Sequence, residues 1–118
     1  MDEKLHNHWV DLIRPLFKDA ASVEGRLLGG VVVFRDFEVN VQWIIITNQS
    51  LLKKALKIFR IIFPGEMILE YEGKSERWKM RADRKIKKFI KKNLENFDPE
   101  NVEPLIVKLI VPKEVLYK

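Results

Sequence analysis

A chain of 118 residues and 14.0 kDa fits one domain, residues 1–118, and leaves no room for a second. Hydrophobic residues at 47% and charged residues at 33% supply a packed interior and exclude intrinsic disorder; 22 Lys and Arg against 17 Asp and Glu give +5, a lean toward polyanionic partners. With no cysteine, disulfide scaffolds, thiol chemistry and zinc ribbons are excluded, a cytoplasmic setting fits, and the opening Met1-Asp2-Glu3-Lys4 does not read as a signal peptide. No stretch reaches the ~18 apolar residues of a membrane span. Abundant Lys, Glu and Ile with sparse Asn and Gln is a balance reported for heat-adapted proteins.

Leu5, Trp9, Leu12, Ile13 and Leu16 recur at three- and four-residue spacing and predict an amphipathic helix over Asp2–Phe17. Asp2 is its cap, and Pro15 ends or bends it near Arg14. Residues 18–25 read as a polar joint. Arg26–Arg35 and Phe37–Thr47 are β-rich and predict a hairpin hinged at Arg35-Asp36. Setting Phe34 opposite Phe37 pairs Val32 with Val39, Gly30 with Val41 and Leu28 with Trp43 on one apolar face. Val31, Val33, Glu38, Asn40 and Gln42 then form a mixed, wet face. Arg-Asp lacks the positive-φ preference of a two-residue turn, so a three- to five-residue loop with a shifted register is the alternative. Gly29-Gly30 inside a strand suggests a bulge or a close backbone approach.

Ser50 caps a second predicted helix, running to Phe63, on which Leu51, Leu52, Ala55, Leu56, Phe59 and Ile62 share a face; Pro64-Gly65 stops it. Met67–Glu72 and Ser75–Arg81 read as a second hairpin around Gly73-Lys74, with Met67, Leu69 and Tyr71 beside Trp78 and Met80, and Glu70 against Arg77. A third helix spans Asp83–Phe97, capped by Asp83, with Ile86, Phe89, Ile90, Leu94 and Phe97 as its apolar stripe; Asp98-Pro99 ends it. Leu105–Val111 is too apolar for a free tail and reads as a strand or short helix that docks on the domain or on another subunit. The expected fold class is therefore α+β: a four-stranded, mainly antiparallel sheet of two hairpins covered by three helices. Its order is α-ββ-α-ββ-α plus an apolar C-terminal segment, with residues 104–118 a docking or oligomerisation tail.

Charge is the sharpest local feature. Residues 74–92 hold ten basic residues, Lys74, Arg77, Lys79, Arg81, Arg84, Lys85, Lys87, Lys88, Lys91 and Lys92, against Glu76 and Asp83. Lys87 with Lys91 and Lys88 with Lys92 repel at i,i+4 by roughly 0.2–0.5 kcal/mol each, a cost that a bound polyanion reverses. The plain alternative is a solvated lysine face. Rings in or near the basic segment favour single strands, since base stacking contributes ~1–3 kcal/mol per base. Trp78 lies between Arg77 and Lys79, Tyr71 is its predicted cross-strand neighbour, and Phe34, Phe37 and Trp43 belong to the first hairpin. Their alternative role is core. The exposed face of the third helix has almost no Asn, Gln or Ser, which argues against reading base edges in a duplex.

Catalytic signatures are weak. His6 and His8, the two histidines, diverge on a helix and read as surface residues, and Gly29-Gly30 has neither phosphate-loop spacing. Glu70 and Glu72, followed by Gly73-Lys74, only superficially echo the acid-x-Lys ending of a nuclease site. No metal and no cofactor is expected, and the chain reads as a non-enzyme.

The helix-hairpin-helix-hairpin-helix order resembles half of a LAGLIDADG homing endonuclease, although Ser22-Val23-Glu24-Gly25 is at best a faint echo of its signature and the catalytic acidic motif is absent. A small, basic, cysteine-free chain with ring-rich stretches such as Phe34-Arg35-Asp36-Phe37 and Arg77-Trp78-Lys79 is similar in style to ThermoDBP-type single-stranded-DNA-binding proteins of thermophilic archaea. That resemblance implies helices packed on an antiparallel sheet, sequence-tolerant binding of single strands in a cleft, no catalysis, and association through a C-terminal region. It carries over no family residue. The expected function is sequence-tolerant binding of single-stranded nucleic acid, DNA ahead of RNA. Lys74, Arg77, Lys79, Arg81, Arg84, Lys85, Lys88 and Lys92 would neutralise phosphates, and Trp78, Tyr71, Phe37 and Trp43 would offer stacking surface. The rival is a protein-interaction or dimerisation module built on Leu105–Val111.

Overall fold

The computed structural model describes residues 3–28, 35–48 and 53–118. Helix α1 (Glu3–Ile13) passes into a 3₁₀ turn (Arg14–Leu16) and is followed by strands β1 (Ser22–Leu27), β2 (Phe37–Asn48) and β3 (Lys53–Phe63). Helices α2 (Gly65–Glu72) and α3 (Glu76–Asn93) come next, then β4 (Ile106–Ile110) and a C-terminal 3₁₀ helix (Lys113–Tyr117). The four strands form one sheet in the order β1-β2-β3-β4, antiparallel except for the parallel pair β3 and β4. The α+β class, the four-stranded, mainly antiparallel sheet and the three helices agree with expectation; several segments take other roles.

α1 ends where Pro15 removes a donor, as the sequence predicts, and buries Trp9, Val10 and Ile13. The first hairpin has a shorter first strand and a different register than expected. Residues 22–27, assigned to a polar joint and the start of a strand, form the whole of β1, and Phe37 faces Leu27 rather than Phe34, Val39 faces Gly25 and Val41 faces Val23. Gly25 explains the choice: a Cβ there would lie 2.6 Å from the Phe37 ring, 2.7 Å from the His6 imidazole and 2.9 Å from Val10, so only glycine lets α1 cross β1 this closely. The expected apolar face of β2 is correct, since Phe37, Val39, Val41 and Trp43 are all buried. Glu38, expected on a wet face, is buried instead: its carboxylate meets Arg26 at 2.7 Å and Arg60 at 3.6 Å and accepts from Asn40 at 3.0 Å. The cap assigned to Asp2, the Gly29-Gly30 bulge, Phe34 and the Ser50 cap lie outside the described residues.

Residues 53–63 are a strand, not the expected helix. Leu56, Phe59 and Ile62 fit a helical period, but Lys57, Phe59, Ile61 and Phe63 alternate at period two onto the buried face. Ile58, Ile61 and Ile62 add the β-branched content that favours strands, and pairing with β2 decides it. Residues 67–81, expected as a hairpin with Glu70 across from Arg77, are helical instead. Gly73 donates to Leu69 O and closes α2, and Ser75 caps α3 by accepting from the Trp78 amide at 3.3 Å. α3 therefore starts at Glu76, and Asp83, expected as a cap, sits in mid-helix and is buried.

All three helices pack on one face of the sheet. Trp9 stacks on Phe63 with centroids 4.3 Å apart and meets Tyr71 edge-on at 5.0 Å; Phe97 closes the other end against Phe59 and Trp43. The C-terminal segment docks on its own domain: β4 lies along β3, and Val111, Val115 and Leu116 are buried. No helix among the described residues is long and apolar enough to cross a membrane.

Candidate nucleic-acid interface

α3 is the most charged element of the chain. Its Ala82, Asp83, Ile86 and Ile90 face the core, so the 100° step per residue turns Arg77, Arg81, Arg84, Lys88, Lys91 and Lys92 to the far side, and all six are exposed. They run along ~23 Å of helix at ~1.5 Å per residue. None has a carboxylate within ion-pair distance among the described residues. Like charges at i,i+4, such as Arg77 with Arg81 and Arg84 with Lys88, each cost a few tenths of a kcal/mol, and Lys91 and Lys92 recover part of this at the C-terminal end of the helix dipole.

Other expected cations are turned elsewhere. Lys79 reaches Glu76 at 3.5 Å and lies 5.7 Å from the Tyr71 ring centre, on the flank facing α1. Half-buried Lys85 donates to Leu116 O at 3.2 Å and so ties α3 to the C-terminal helix. Lys74 precedes α3, 3.7 Å from Glu70 and 5.3 Å from the Trp78 ring.

Three of the four expected stacking rings belong to the core. Phe37 is fully buried, Tyr71 is 2% exposed and Trp43 9%, because the first hairpin turns its aromatic face under the helices and α2 turns Tyr71 toward Trp9. Trp78 is half-buried at the N-terminal end of α3, with Tyr117 edge-on at 5.7 Å. Tyr117, which the sequence reading missed, is 52% exposed. Its one sequence signal is its place directly after buried Val115 and Leu116, which turns it outward. Its hydroxyl donates to Glu70; that bond raises the phenol's pKa and, with Lys74 and Lys113 nearby, holds the Glu70 carboxyl below the usual carboxylate range. Trp78, Tyr117 and Lys74 thus form a cation-edged ring cluster at one end of the basic stripe.

On the opposite flank the fold joins residues that the sequence kept apart. Asp83 accepts from the Tyr71 hydroxyl at 2.8 Å and pairs with His8 Nε2 at 2.7 Å, linking α1, α2 and α3 beside a cavity of about 470 Å³. His8, expected as a plain surface residue, keeps 49% of its side chain exposed while holding this bond. Burial and the Asp83 carboxylate push the Tyr71 phenol's pKa up, so it stays a donor. Asp83→Ala strands that buried hydroxyl and is expected to lower the unfolding free energy by about 1–3 kcal/mol in urea titration. His8→Ala, which opens a half-exposed bond, is expected to cost less than ~1 kcal/mol by the same measurement. No group of three or more His, Cys, Asp or Glu among the described residues is placed to hold a metal ion.

No protein-family model, curated protein or solved structure matches the chain.

Proposed function

We propose that the protein binds single-stranded nucleic acid without sequence preference and without catalysis, gripping the phosphodiester backbone along the exposed face of α3. The observation that carries this reading is the line of six exposed cations, none with a carboxylate partner among the described residues, leading to the Trp78–Tyr117 pair. A polyanion relieves the repulsion along that line, and each neutralised phosphate releases condensed counterions. Base faces find their stacking surface at Trp78 and Tyr117, not at the rings inside the core. The exposed positions of α3 are Arg and Lys apart from Glu76, Met80 and Asn93, and the Asn93 amide already donates to Phe89 O, so side chains that discriminate base edges are nearly absent, which favours binding without sequence reading.

Titration of poly-dT, poly-rU and duplex DNA at several salt concentrations, read by tryptophan fluorescence, tests the proposal. Trp9 and Trp43 are buried, so quenching reports on Trp78 and is expected to vanish in Trp78→Phe. If six phosphates are neutralised, the log–log slope of affinity on salt for a single strand is expected to be about −4. An affinity indifferent to salt would overturn the charge-based mechanism, and preference for duplex would overturn the role of the rings.

A further inference from the structure

No helix among the described residues packs on the second face of the sheet, where exposed apolar side chains alternate with polar rows. Adjacent strands place side chains on it in transverse rows: Arg26, Glu38, Ile62 and Ile110; Glu24, Asn40, Arg60 and Lys108; Ser22, Gln42, Ile58 and Ile106; then Ile44 beside Leu56. Ile44 is 63% exposed, Ile46 53% and Leu56 49%, and Ile106 and Ile110 are exposed as well. Isolated surface isoleucines are ordinary, but a cluster on one flat face marks an interaction surface. The polar groups at its centre are already paired with one another. Arg60 donates to Asn40 at 2.8 Å, and Glu38 holds Arg26 and Asn40. Covering this face therefore leaves the Glu38 carboxylate paired.

From this face we infer that the protein forms a two-fold symmetric dimer by packing the open sheets of two copies against each other. Three features select a second copy as the occupant. The first is area. Thirty-four strand residues at ~3.4 Å rise and ~4.8 Å spacing give roughly 550 Å² of flat sheet per copy, so a face-to-face pair exceeds the ~1,000 Å² total that a specific interface needs. The second is self-complementary charge. Glu24 and Lys108 are exposed at opposite edges of one row, and neither has an ion-pair partner among the described residues. A two-fold axis parallel to the strands, between β2 and β3, sets each Glu24 opposite the other copy's Lys108 and each Ile44 opposite the other copy's Leu56, within the ~10 Å that separates packed sheets. The third is the position of α3. It lies on the other face of the sheet, so the two cationic stripes point away from each other and add little repulsion to the contact.

The inference is independent of nucleic-acid binding, and its test uses the full chain without nucleic acid. Sedimentation equilibrium of the wild type across about 1–100 µM is expected to show a monomer–dimer equilibrium. Glu24→Lys and Lys108→Glu, each creating two like-charge pairs at the interface, are expected to raise the dimer dissociation constant about tenfold or more. The double variant Glu24→Lys/Lys108→Glu is expected to restore it. Ile44→Glu is expected to give a monomer, with circular dichroism confirming that the exposed substitution leaves the fold intact. A wild type that stays monomeric throughout, with or without another protein bound to the face, overturns the proposal. So does a double variant no better than the singles, since it removes the two-fold pairing.

Discussion

Replacing Arg81, Arg84 and Lys88 together by Glu is expected to weaken single-strand binding by about 100-fold or more near 0.1 M salt. The counterion-release exponent of ~0.7 per phosphate makes each contact worth about fivefold at that concentration, and three lost contacts multiply. Reversal, as opposed to neutralisation, adds repulsion to the remaining phosphates. The slope of affinity on salt should fall from about −4 to about −2, which separates loss of phosphate contacts from general damage to the protein. All three side chains are exposed on α3, and the new carboxylates at 81 and 88 stand three or four residues from Arg77, Lys85, Lys91 and Lys92, which offsets the repulsion between those at 84 and 88, so thermal unfolding is expected to shift little. Unchanged affinity in this variant would remove α3 from the binding mechanism.

The second large effect concerns stability. Deleting residues 104–118 is expected to abolish cooperative unfolding, measured by circular dichroism and by the dispersion of amide resonances. The deletion strips the β4 ladder from β3 and removes Val111, Val115 and Leu116, which are 0%, 4% and 1% exposed. It also takes Pro104 O from the buried Lys57 ammonium. Large-to-small changes at single buried aliphatic positions cost about 2–5 kcal/mol each. Three together match the ~5–15 kcal/mol that holds a domain of this size folded. The apolar tail that the sequence offered as an assembly device therefore packs into its own domain through Val111, Val115 and Leu116, while Ile106, Lys108 and Ile110 form one edge of the open sheet face that we propose for assembly.

What could be read from the residues alone depended on how local the deciding physics was. α1 was legible because its period and its proline both act within a few residues of chain. The inward face of β2 was legible because strict alternation fixes it whatever the partner. The partner itself was not: the choice of residues 22–27 turns on Gly25 meeting His6, Val10 and Phe37, a contact of three separate elements. β3 misleads because it carries apolar side chains on both faces, Leu56, Ile58 and Ile62 on one and Phe59, Ile61 and Phe63 on the other, and these also satisfy a helical period over a short window. At residues 67–81, Gly73-Lys74 reads equally well as a hairpin turn and as the joint between two helices, and the scarcity of β-branched residues there was the better guide. In the candidate interface, the positions of the cations were legible because net charge is a property of the segment itself. The exposure of each ring was not, since only tertiary packing sends Tyr71 to Trp9 and Trp78 to Tyr117.

The parallel pairing of β4 sets a timetable for synthesis. β3 emerges with β2 available on one side, while the strand for its other side is translated roughly forty residues later, several seconds at ~5–20 residues per second. Throughout that interval a row of unpaired amides and carbonyls from Ile58 to Ile62 is open to any passing strand. Lys53, Lys54, Lys57 and Arg60 crowd that strand with positive charge, so two nascent chains repel where they would otherwise zip together.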